Sequence, residues 1–192
     1  SVGALRVASS GATMTSTHPP RRHAAPLLTE PIFRLPTAWS TATAGAISVN
    51  HFEGEVTVRE MNEIQEIGDR WYLRYPAKSL SLSVVYPTTH RPPAEQRERL
   101  RQLIKHWEHH HLASANVMLI DGLLGAMHRS VLTGVMMLAP PPHPAKVFAS
   151  FDVALPWLLT HQTTKLDLAS VREAVDRVSA EFLARPGRVP EP

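Results

Sequence analysis

The sequence contains no cysteine, which excludes disulfide staples, thiolate metal sites and a cysteine nucleophile. Aromatic side chains are scarce at 6%, so a sheet that stacks nucleobases has little to build with. Charge is sparse as well: 19% Asp, Glu, Lys and Arg, with a net of +3. The densest basic stretch, RPPAEQRERLRQLIK, is broken by Glu95 and Glu98, and reads as a solvated helix face rather than a nucleic-acid patch. No apolar run approaches the length that a membrane-spanning helix needs.

What is present suits one packed domain. The chain has 192 residues, 43% of them hydrophobic, enough for a single core and too few to expect two. Its 17 prolines gather in the N-terminal third, at Pro92-Pro93, at Pro140–Pro144 and in the tail, where they punctuate elements. Residues 1–30 hold Ser, Thr, Ala, Pro and His, with Arg6, Arg21 and Arg22 and no acid before Glu30. Without periodicity they read as a disordered arm. Met14-Thr-Ser-Thr reads as an ordinary start preceded by tag or upstream residues, while the acid-poor, Arg-containing composition also fits a transit peptide.

From Pro31 the pattern turns regular. PIFRLPTAW and GAISVNHFEG are β-type runs that predict an opening strand pair. Thr57-Val-Arg-Glu60 is a capping box, and behind it Met61, Ile64, Gly68, Trp71 and Tyr72 share a helical face. SLSLSVVY is a strand entering a buried sheet. After PTTHRPP comes a helix striped by Leu100, Leu103, Ile104, Trp107 and His111. Val117–Ile120 is a continuous apolar strand. Asp121-Gly122 after it also signals a hairpin, but Ala126, Ser130 and Gly134 recur every four residues beside Met127, Val131, Val135 and Leu138, a helical period with a small-residue ridge. AKVFASF is the next strand and DVALPWLL the next helix, with Asp152 in a first turn that favours a carboxylate. Ser170-Val-Arg-Glu173 is a second capping box, heading an amphipathic helix through Val171, Ala174, Val175, Val178 and Phe182. The order ββαβαβαβα implies an α/β fold: a mixed, mainly parallel sheet of about five strands with helical crossovers, plus a C-terminal helix.

That order, with KVFASFDVALPWLL, resembles the SpoIIAA-like branch of the STAS superfamily, the fold of anti-sigma-factor antagonists. The residues that carry the likeness are Phe148, Phe151, Ala154, Trp157 and Leu158, preceded by VMLIDG and its helix. The resemblance covers about Pro31 to Thr164, and divides the chain into an arm (1–30), a STAS-like domain (31–164) and a C-terminal amphipathic helix with its tail (165–192). It implies a non-enzymatic regulatory or interaction module in a bacterial cytoplasm, without a cofactor, acting through a protein partner or a small apolar ligand. In classical members an Asp and a phosphorylatable Ser follow a central strand. The corresponding stretch here, SVVYPTTHRPPAEQ, has neither, so phosphoswitching does not carry over directly.

In an open α/β sheet, ligands gather at the carboxyl ends of the strands. Thr88-Thr89-His90, Asp121-Gly122 and Ser150 to Asp152 should meet there. Thr88 and Thr89 read either as ordinary loop polarity or as phosphoacceptors ahead of a helix N-terminus. Asp121 reads as the cap of the following helix, or as a ligand-positioning group or base. A small enzyme built on Asp121 and the Thr88–His90 loop is the alternative function. In HWEHHHL, His106 and His110 are spaced to face one metal ion, but no third ligand or H-E-x-x-H motif accompanies them. The last helix either packs on the domain's own flank or offers a surface for a homodimer or a partner.

Overall fold

The computed structural model describes residues 27, 29–34, 39–86, 93–138 and 140–185. Six strands, β1 (Thr29–Arg34), β2 (Trp39–Ala44), β3 (Ile47–Phe52), β4 (Ser79–Val85), β5 (His111–Met118) and β6 (Ala145–Phe148), form one sheet in chain order. β1, β2 and β3 pair antiparallel, and β3 through β6 pair parallel. The helices are α1 (Val58–Arg74), α2 (Ala94–Trp107), α3 (Gly122–Leu138), α4 (Phe151–Leu159) and α5 (Leu168–Leu183). The α/β class and the mainly parallel sheet entered by an antiparallel ribbon agree with the sequence pattern. The strand count is six rather than about five.

The extra strand comes from PIFRLPTAW, which supplies β1 and the start of β2 instead of one strand. Pro31 is tolerated because β1 is an edge strand with a register shift beside that residue. β2 and β3 form a hairpin closed by two residues, and Gly45 at φ +59° supplies the left-handed backbone that this tight turn requires.

Period-two alternation decides where the core lies. Ile47, Val49, Leu80, Leu82, Val84, Ala113, Ala115 and Val117 point to one face, under α4 and α5. There they meet Ala154, Leu155, Leu158, Val171, Ala174, Val175, Val178 and Phe182. The apolar side of α5 is therefore spent on the domain's own sheet. The opposite face carries Ser48, Asn50, Ser81, Ser83, Ser114 and Asn116, in register across three strands. It satisfies part of its own polarity: Thr41 Oγ1 donates to Asn50 Oδ1 at 2.8 Å, and Asn50 Nδ2 donates to Ser81 Oγ at 3.4 Å.

On that polar side lie α1, α2 and α3, as right-handed crossovers between successive parallel strands require. A smaller cluster of Trp39, Met61, Ile64 and Leu103 seats α1 and α2, with Phe52 and Trp107 against it. The Thr57 box forms: Thr57 Oγ1 accepts from Glu60 N at 3.2 Å while Glu60 Oε2 accepts from Thr57 N at 2.8 Å. Three expectations need correction. α2 ends at Trp107 and a 3-10 turn follows, so His111 opens β5 instead of completing the α2 stripe. β5 accordingly begins six residues before Val117, because its small residues Ala113, Ser114 and Ala115 carry no β-branched signal. The cap of α5 is Asp167, whose carboxylate accepts from Ser170 N at 2.9 Å, so the helix starts before the Ser170 box.

Gly68 on α1 is where the Trp107 ring of α2 lies flat against backbone: a Cβ there would sit 2.3 Å from Trp107 Cζ2. Trp107 is also pinned by its Nε1–H donating to Asp69 Oδ1 at 2.8 Å, so it cannot slide away freely. Gly68→Ala should therefore lower the unfolding free energy by about 1–3 kcal/mol by overpacking, although alanine favours the helix by about 1 kcal/mol. Urea denaturation checks the sign; a stabilised variant would refute this packing.

Candidate functional site

The carboxyl ends of β5 and β6 bring Asp121 and Ser150–Asp152 to one edge of the sheet, but among the described residues no reactive constellation assembles there. Thr88, Thr89 and His90 lie outside the described residues. Asp121 is exposed, and among the described residues its carboxylate takes no hydrogen bond; only its carbonyl accepts, from Gly125 N at 3.4 Å. The expected side-chain cap on α3 is thus not made. Ser150 occupies the N-cap of α4 with its hydroxyl unused as a cap. Asp152 is paired with Arg172 of α5, and Arg172 Nε also donates to Asp176 at 2.9 Å, so this carboxylate ties α4 to α5. A topological reason underlies the sparse edge. Ligand crevices in open α/β sheets form where strand order reverses, and here β3 to β6 advance in a single direction.

A buried polar cluster does form at the end of β3. His51 is fully buried, stacked against Phe182 at 5.0 Å and Tyr86 at 6.1 Å between ring centroids. Its Nε2 lies 2.9 Å from Ser179 Oγ on α5. Beside it Arg185 Nη2 donates to Glu53 Oε2 at 2.6 Å, with the guanidinium over the Phe182 ring at 3.8 Å. Burial, aided by the nearby Arg185 charge, pushes His51 down to about 4. Sequence reasoning missed this cluster. The available signal was a histidine on the apolar phase of ISVNHF, where Ile47 and Val49 predict a third core residue.

The histidine-rich segment lies at the other edge, by the N-terminal end of β5. His106 Nε2 pairs with Asp69 Oδ1 at 2.8 Å, whereas the His110 ring stacks on Tyr72 with centroids 4.0 Å apart. These two imidazoles have separate partners, and no three His, Asp or Glu side chains converge on a metal position among the described residues. His111 is pushed down to about 3 by burial and by His143 and the neighbouring histidines. His143 Nε2 lies 2.7 Å from Ser114 Oγ. That pair fastens the Pro-rich loop to β5, alongside Ser114 N donating to the Pro144 carbonyl at 2.9 Å.

The most exposed apolar surface belongs to α3. Its side chains Leu123, Leu124, Met127, Val131, Met137 and Leu138 are between 56% and 89% exposed. The helix rests on β6, and an open groove of about 500 Å³ between them is lined by Ala126, Ser130, Gly134, Met137, Val147 and Ala149. The small-residue ridge read from the sequence therefore faces this groove rather than bringing the helix down onto the sheet. From the middle of α3, Arg129 reaches back so that its Nη1 donates to the Ile120 carbonyl at 2.9 Å.

These features define an α/β protein, with a six-stranded mixed sheet and five helices among the described residues. No protein-family model, curated protein or solved structure matches the chain.

The buried imidazoles generate a pH dependence. The unfolded chain binds a proton at His51 below about pH 6.5, while the folded state refuses it until about 4. Stability from this residue is fully present above pH 6.5 and falls as pH drops through that window, by about 3 kcal/mol at its end. His51→Phe should flatten the fall in unfolding free energy between pH 6.5 and 4. An equally steep profile in the variant would show that another group carries the effect.

Proposed function

We propose that this chain is a non-enzymatic regulatory or interaction module, as its STAS-like closing motif implies, and that it acts by docking a protein partner on α3 and the adjoining β6 edge. The observation that carries the reading is the apolar exposure along the full length of α3. A helix apolar around most of its circumference is normally a buried one, and contiguous exposed apolar surface marks interaction sites. Charge supports a protein partner over nucleic acid. Arg101 is paired with Glu98, and the Arg99 guanidinium is held by Asn62 and Gln65 against α1, so neither side chain extends freely from α2. The enzymatic alternative has no partner group for Asp121 among the described residues and gains no support from this edge.

The test is a variant carrying Leu124→Gln, Met127→Gln and Val131→Gln. Because these side chains are exposed, its unfolding free energy should stay within about 1 kcal/mol of the parent. Cross-linking in the native cells should trap the parent in a complex of defined stoichiometry, and the variant should lose it. Retention of the same complex by the variant would remove α3 as the docking surface; a loss of several kcal/mol would show that its residues belong to the core.

A further inference from the structure

The exposed residues of α3 are not scattered. Leu124, Met127, Val131, Gly134 and Leu138 are spaced by three, four, three and four residues, the period of a seam that faces a second helix. This seam has a gap. A Cβ at Gly134 would meet nothing within 4 Å, so its own domain leaves that position open. The flanking positions beside the seam hold Ser130, Met137 and His128 rather than carboxylates or lysines, so no like charges repel an identical helix.

We infer that the occupant of this face is a second copy of the chain, its α3 packed antiparallel against the first across a two-fold axis near Arg129. This rests on the docking reading above and names its partner. In that register Leu124 of each copy fills the space over Gly134 of the other, and Met127 meets Val131. Each larger side chain therefore opposes a smaller one, and the same patch serves on both copies, as an isologous contact requires. The area suffices. Six large apolar side chains, each exposing on the order of 100 Å², give roughly 1,200 Å² over two copies, at the low end for a specific interface.

Other occupants fit less well. A membrane surface is recognised by an amphipathic helix rich in Lys and Arg on its polar face, and α3 has only Arg129, already bonded to the Ile120 carbonyl, and His128. The described residues include no helix long and apolar enough to cross a bilayer. A small apolar ligand in the α3–β6 groove would leave Leu124 and Val131 uncovered, because neither lines it.

Sedimentation equilibrium of the purified chain at about 100 µM, a concentration that populates even a modest complex, should give twice the mass of one chain. Gly134→Leu should act in opposite directions on the two readouts. It should raise the melting temperature of the domain, since leucine favours a helix and the space is open, yet weaken self-association by at least about tenfold. The absence of cysteine makes the register directly readable: oxidising a mixture of Met127→Cys and Val131→Cys chains should yield a covalent dimer, while Glu173→Cys on α5 should not. A monomeric chain with no cross-link above the Glu173→Cys control would overturn the proposal. If the native-cell complex is nevertheless lost in the triple glutamine variant, docking on α3 stands and only the second copy is wrong. A dimer indifferent to Gly134→Leu would also overturn it, by refuting the antiparallel register.

Discussion

The structure depends on one constraint, the alternation through the middle of three neighbouring parallel strands. Ile47, Val49, Leu80, Leu82, Val84, Ala113, Ala115 and Val117 take one phase and Ser48, Asn50, Ser81, Ser83, Ser114 and Asn116 the other, with Phe52, Val85, Leu112 and Met118 departing from it at the strand ends. Because side chains alternate across a strand, the sheet becomes apolar towards α4 and α5 and hydroxylic towards α1, α2 and α3. A helix gains stability by covering apolar area, at about 25 cal/mol per Å², and the hydroxylic face offers little. The consequence is a lopsided domain. α4 and α5 are knitted into one large cluster, α1 and α2 are held by a local patch around Trp39 and Leu103, and α3 rests on the β6 edge with most of its apolar surface in the open.

How much of this is legible in the sequence follows from the same alternation. Where apolar residues are large, as in SLSLSVV or the Met61–Tyr72 stripe, the element types and faces can be read directly. Where the core phase is filled by alanine, as in HLASANVM, the hydrophobic signal fades, and β5 looks like the tail of α2 until Val117. PIFRLPTAW fails for another reason: two short strands lie end to end within an apparently single β-type run. The α3 ridge shows the deeper limit. Ala126, Ser130 and Gly134 form a small-residue face in the sequence, but that this face borders an open groove beside Val147 and Ala149 depends on a separate segment, which local periodicity does not join.

The C-terminal helix is fixed by means other than apolar area alone. His51 sits on the core phase of β3, and a charged imidazole there would be costly, so burial keeps it neutral while Ser179 satisfies Nε2. The Arg185–Glu53 pair closes the same corner with a guanidinium almost wholly removed from solvent. Breaking such a pair by removing one partner costs about 3–5 kcal/mol, although the pair adds little over an apolar equivalent. The pair ties the end of α5 to the end of β3, with Arg185 reaching Glu53 and Phe182 against His51. Asp152 and Arg172 add a solvent-exposed pair at the α4–α5 junction.

The topology also bears on the usual place for function in an α/β sheet. A crevice at the strand ends requires neighbouring connections to leave in opposite directions. Here each parallel connection steps to the next strand in the same sense, so the crossover helices line one face and do not diverge. At the end of β3 the space is closed by α5 through Arg185, and Asp152, next to the end of β6, is held by Arg172. Among the described residues, Asp121 is exposed with no nucleophile, base or anion hole arranged around it. The open apolar surface among the described residues lies instead along α3, beside the β6 edge.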